Sequence, residues 1–210
     1  MVRLVLPAVT GLRGVAAGAI LLFHVEVLRR ASLGSAGHVP VLNHGWAAVD
    51  LFFVLSAFLL GAPFLAAHPP GLGRYFWRRF ARVVPPYWAS VPVAMVVGAV
   101  IGSPAVRWRD LWTHALFLHS LFPDTITTIN SVYWTLAVEA QIYLALPVLA
   151  ILLGRPAWAL HVVWLAALTF TVRAFALDHF AFGVAAVNLP GFLLHATAGL
   201  LAAKSWARRT

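Results

Sequence analysis

The sequence contains no cysteine. That removes disulfides, thiolate metal sites and any route through an acyl-cysteine, while leaving the redox compartment open. Charge is nearly as scarce: 10% of the 210 residues are Asp, Glu, Lys or Arg, where a soluble domain carries about a quarter. With 62% hydrophobic residues and a mean hydropathy of +0.88, the composition excludes an ordinary globular domain, a disordered chain and a collagen. Acidic residues are the rarest charged class, 6 against 15 Lys plus Arg, which gives a formal charge of +9. Basic residues scattered this thinly among apolar runs mark loop ends and anionic lipid contacts, so no nucleic acid partner is expected.

What fills the sequence instead is apolar runs long enough to cross a bilayer, which takes about 20 residues per helix. Such runs cover residues 8–28, 45–67, 83–103, 131–153, 157–177 and 184–203. They predict an all-α, polytopic transmembrane helix bundle of six or seven membrane segments. The stretch Leu111 to Phe122 is apolar but too short to span, and reads as an interfacial or re-entrant piece. The first run is not a secretion signal: it carries Arg13 and His24, no small-x-small cleavage site follows, and further spans come after it.

Arg74, Arg78, Arg79 and Arg82 lie between the second and third runs, which predicts a cytoplasmic loop there. The N-terminus with Arg3, together with Arg155, Lys204, Arg208 and Arg209, then falls inside. The connection 29–44 and the segment 104–130 fall outside, and Arg29, Arg30, Arg107 and Arg109 sit on that outer side against the rule. Usage rich in Ala, Arg, Pro and Trp is associated with high-GC bacteria, so the expected location is a bacterial plasma (inner) membrane with the N-terminus cytoplasmic.

An ionisable side chain at the centre of a spanning helix costs about 3 kcal/mol or more, so each one needs a reason. Arg13 and His24 lie in the first run, Asp50 in the second, Glu139 in the fourth, and His161, Arg173 and His195 in the last two. Helical periodicity puts Arg13 and His24 on one face, about 16 Å apart along the axis. His24, Asp50 and Glu139 lie about 6, 7 and 12 Å from the outer ends of their helices. Three groups able to move or orient protons are thus at similar depth, although sequence alone does not decide whether they meet. His161 and His195 have no partner at matching depth and suit hydrogen-bonded packing as well as function. Arg173, near a helix end where its stem can snorkel, is set aside. The arginines of 74–82 mix with aromatics at helical spacing, Arg74, Arg78 and Arg82 forming one stripe, and suit either an interface anchor or an anion site, in which Arg79 and Arg82 match phosphate oxygens.

Four blocks in order carry a family resemblance: Thr10-Gly-Leu-Arg-Gly continuing to His24, Val49-Asp-Leu-Phe-Phe-Val-Leu-Ser56, Arg78-Arg-Phe-Ala-Arg82, and Tyr133-Trp-Thr-Leu-Ala-Val-Glu139 followed by Pro147. The chain resembles the acyltransferase 3 family of integral membrane O-acyltransferases, departing from its usual pattern at Thr10, Ala48, Ala57, Thr135 and Gln141-Ile142. The resemblance implies one transmembrane domain over residues 1–210. Because members have a core of about ten helices of ~20 residues each, that domain is expected to be incomplete at its C-terminus.

The implied reaction moves an acyl group, commonly acetyl, from acyl-CoA (acetyl-CoA) to a hydroxyl of a carbohydrate or glycosylated acceptor, without a metal. The expected catalytic residues are His24, Glu139 and Asp50, and the expected donor-binding residues are Arg13, Arg79 and Arg82. Elementary chemistry agrees in kind. A neutral imidazole can take the proton of an attacking hydroxyl, and a carboxylate on its other nitrogen would fix the tautomer. The rival reading is a transporter, or an inactive membrane partner, using the same intramembrane polar residues.

Overall fold

The computed structural model describes residues 7–33, 39–66, 68–176 and 184–208. Arg3, Arg209 and positions 34–38 of the first outer connection lie outside the described residues. Every regular element among those described is helical: α1 (Pro7–Leu33), α2 (Ala48–Gly61), α3 (Leu72–Val100), α4 (Trp108–Ala115), α5 (Trp134–Gly154), α6 (Trp158–Phe175) and α7 (Leu189–Ala207). Short 3₁₀ turns at Pro40–Ala47, Ala62–Leu65 and His119–Leu121 join them. Six of the helices, all but α4, are long and apolar enough to cross a membrane, as the sequence predicts.

α2, α5 and α7 form the centre. Their buried faces supply Phe53, Ala57, Val138, Ile142, Leu146 and Leu200, among others. In a bilayer, apolar side chains gain little by leaving lipid for protein, so association depends on close packing of small residues. At the α2–α7 crossing a Cβ on Gly199 would collide with the Val54 carbonyl and Ala57, and one on Gly61 with Leu200. The backbones therefore approach where side chains are absent. At the far end Lys204 of α7 donates to the Leu153 carbonyl at 2.6 Å and lies 4.7 Å over the Trp158 ring, fastening the end of α5 and the start of α6. α1 leans against α2 and the Pro40–Ala47 turn.

One expectation is corrected. The third span starts at Leu72 rather than at 83, so Arg74, Arg78, Arg79 and Arg82 sit on the opening turns of a continuous helix and not in a loop. The pair Pro85-Pro86 suggests a boundary, but α3 runs through both and through Pro92. Each proline removes one N–H donor, a loss that neighbouring helices make tolerable in a membrane segment. The helix ends instead at Gly102, whose φ of +77° lets the Ser103 N–H return to the Gly98 carbonyl at 2.8 Å.

The arginines on the predicted outer side are paired. Arg29 grips the buried Glu26 with two bonds of 2.8 and 2.9 Å, Arg107 pairs with Asp110 at 2.8 Å, and Arg109 with Asp124 at 3.1 Å. The segment Leu111 to Phe122 does not span. It folds as the end of α4 and a 3₁₀ turn, and with residues 122–133 makes a polar cap at the mouth of the bundle.

Candidate functional site: two chambers sharing one wall

Two cavities open between the helices. The first, about 620 Å³, is lined by His24, Asp50 and Glu139 within an aromatic shell that includes Trp46 and Trp134. The second, about 320 Å³, is lined by Arg13, Arg79, Arg82, Tyr87, Ser90 and Tyr143. Phe52, Leu136 and Glu139 line both. The residues singled out as acid–base groups thus meet in one chamber and the arginines in the other, with Glu139 on the partition. Arg13 and His24, on one face of α1, serve different chambers because of their axial separation.

In the first chamber, Asp50 lies in the opening turn of α2, where the helix dipole favours a carboxylate. Its Oδ1 is 3.2 Å from His195 Nε2 and 3.8 Å from Arg173 Nη2. His195 therefore has a partner, contrary to the sequence reading, and Arg173 does not simply snorkel. Arg173 is fixed by its Nε, which donates to the Gly191 carbonyl at 2.9 Å, and by stacking 5.0 Å over Phe192. Depth arithmetic puts Arg173 about 6 Å from the outer end of its run, level with Asp50, but a place near a helix end sets it aside as a snorkelling residue; His195, about 16 Å deep in its run, has no such match.

Glu139 is buried and accepts a hydrogen bond from the Tyr143 hydroxyl at 2.5 Å, one helical turn on. Tyr75 in turn donates to the Tyr143 carbonyl at 3.1 Å, linking α3 to this point. Among the described residues no hydrogen bond joins Glu139 to His24, which sits edge-on to Phe23. Tyr143, part of the block that runs from Tyr133 to Leu144, was given no role from sequence, although its i,i+4 spacing from an intramembrane carboxylate was a usable signal.

The second chamber holds unmet donors. Arg13 lies 4.8 Å over the Phe52 ring, and Arg79 Nε is buried without a hydrogen-bond partner. A buried guanidinium N–H left unpaired is costly unless a ligand accepts from it, and clustered arginines suit phosphate or carboxylate oxygens.

The cap is hydrogen-bonded to Tyr87 and Ser90, two α3 residues that line the second chamber. The Tyr87 hydroxyl bonds His114 Nδ1 at 2.8 Å, and the Tyr133 hydroxyl donates to Ser90 Oγ at 2.8 Å. His114 stacks on His119 at 3.9 Å with rings 4° from parallel, and His119 Nε2 donates to the Tyr133 carbonyl at 3.0 Å. Burial, with the neighbouring His119 ring adding to it, pushes His114 down to about 4, and burial also lowers His119. Hydrogen bonds from Arg107 hold the Asp110 carboxyl below its ordinary range. Phe117 and Ile129 take left-handed φ of 60° and 62°, strain that surrounding packing must hold in place.

Fold and site together define a polytopic helical membrane protein with a polar, two-chambered centre. The family model described as Acyltransferase domain matches residues 6–210, and the chain belongs to the acyltransferase 3 family. It is 29% identical over 143 residues to "Putative acetyltransferase ORF330" of Acidianus two-tailed virus, covering 68% of this chain and 40% of that protein. It is 30% identical over 152 residues to "Acyltransferase MdmB" of Streptomyces mycarofaciens, covering 68% of this chain and 38% of that protein. The matched region is thus about two fifths of the length of these relatives. No solved structure matches.

Proposed function

We propose that this chain provides the acyl-transfer centre of a membrane-embedded O-acyltransferase, moving an acetyl group from acetyl-CoA to a hydroxyl of a carbohydrate or glycosylated acceptor. The observation that carries this reading is the division of the polar centre: three arginines, one with a buried unpaired N–H, in one chamber, acid–base groups in the other, and Glu139 common to both.

Arg13, Arg79 and Arg82 bind the phosphates of the donor, and the unpaired Arg79 Nε is the fit test such an anion passes. The acceptor enters the larger chamber, where Trp46 and Trp134 offer faces to sugar C–H groups and the carboxylates accept from its hydroxyls. His24 takes the proton of the attacking hydroxyl, a contribution of about 10²–10⁴-fold. Glu139, with Oε1 held by Tyr143, orients the reacting groups from the partition and offsets charge on the imidazolium. Asp50, fixed by His195 and Arg173, orients the acceptor from the opposite wall. The membrane is a bacterial plasma membrane, with the opening turns of α3 on the cytoplasmic side where the donor is supplied.

Membranes bearing the wild-type protein and given radiolabelled acetyl-CoA are expected to place label on a glycan or lipid-linked sugar. His24→Ala is expected to lower that rate by about 10² or more. Equal labelling by the two proteins would remove His24 from the chemistry. Uptake of a solute without covalent label would favour a transporter.

A further inference from the structure

The partition between the chambers contains two apolar side chains besides Glu139. Resting on the acyl-transfer reading above, we propose that Phe52 and Leu136 form the acyl pocket and set the length of acyl chain that the protein transfers. In the reaction the acceptor oxygen attacks the thioester carbonyl carbon; the new C–O bond forms, the C–S bond breaks, and the hydroxyl proton passes to His24 and then to the departing thiolate. The products are an ester and free CoA thiol. The carbonyl carbon must come within bonding reach of an oxygen held in the first chamber while the CoA phosphates stay in the second. The acyl group is therefore at the boundary, where the residues common to both linings are Phe52, Leu136 and Glu139.

Each of these walls is held. Glu139 is fixed by Tyr143 at 2.5 Å, and the Phe52 ring lies under the Arg13 guanidinium at 4.8 Å. Phe52 and Leu136 stand on α2 and α5, the helices that supply much of the packed centre. A boundary braced from the donor side by Arg13 and from the core by α5 has little freedom to widen for a longer chain, because packed interiors yield poorly to added methylenes.

Rates of transfer from acetyl-, propionyl-, butyryl- and hexanoyl-CoA in membranes test this, with wild type, Phe52→Ala and Leu136→Ala compared by their ratios. Wild type is expected to favour the shortest donors, losing about ten-fold or more per added methylene. Both variants are expected to shift the butyryl-to-acetyl ratio upward by about ten-fold or more. Leu136→Ala leaves the Arg13–Phe52 contact in place and carries the test where Phe52→Ala lowers the amount of protein. The acyl pocket is overturned if wild type favours hexanoyl, or if Leu136→Ala transfers acetyl yet keeps the wild-type butyryl-to-acetyl ratio. Failure of wild type to transfer any of the four donors would instead overturn the acyl-transfer reading itself.

Discussion

The two chambers treat charge in opposite ways. In the larger one Asp50 is already met by His195 and Arg173, and Glu139 by Tyr143. In the smaller one Arg79 retains a buried N–H with no partner and Arg13 has only the face of Phe52. Charges satisfied within the protein are held in place and can orient a neutral group. Charges left unmet favour an incoming ion of opposite sign, since its binding removes a standing penalty. On the proposed reading, the difference separates a chamber that positions the acceptor from one that captures the donor.

The largest effect that would sharpen this contrast is the His24→Ala loss of about 10² or more, accompanied by little change in the KM for acetyl-CoA. A smaller effect is expected from the residues that hold Asp50. His195→Ala should lower kcat for transfer by about ten-fold with the donor KM unchanged, because it frees a carboxylate in the acceptor chamber only. His195→Gln, which can still donate to Asp50, should recover part of that loss. A donor KM raised as much as kcat is lowered would erase the distinction between the chambers.

The smallest effect concerns the cap. His114 and His119 are both lowered in the folded protein, so between their folded values and the unfolded value of about 6.5 the unfolded chain binds more protons. The stability they contribute is complete above about pH 6.5 and is lost as the pH falls toward about 4. The hydrogen-exchange protection of residues 108–133, relative to the intrinsic rate at each pH, should fall on acidification from pH 7 to 5 before that of α2 or α7 does. Uniform loss of protection across the bundle would show that the cap has no separate pH response.

Much of this architecture was legible in the sequence, and for identifiable reasons. Six runs read as spans became six long helices, because run length in an apolar medium leaves the chain little choice but helix. The grouping of His24, Asp50 and Glu139 followed from depth along each helix, a one-dimensional quantity that sequence does contain. What sequence hid was lateral. His195 meets Asp50 through the crossing of α2 and α7, made close by residues such as Gly199, and Arg173 reaches the same carboxylate from α6. The start of the third helix was hidden for another reason: the arginines of 74–82 lower local hydropathy, so the apolar run begins at 83 although the helix begins at Leu72. The stacked histidines of the cap fell in a segment judged only by its failure to span.

The separation of donor capture from proton transfer is tested most directly by the affinity of detergent-solubilised protein for CoA, measured in His24→Ala and Arg79→Ala side by side. The account predicts that His24→Ala binds CoA within about twofold of wild type, while Arg79→Ala weakens binding by about ten-fold or more as a charge-assisted hydrogen bond is lost. Equal weakening by both variants, or unchanged binding in Arg79→Ala, would contradict it.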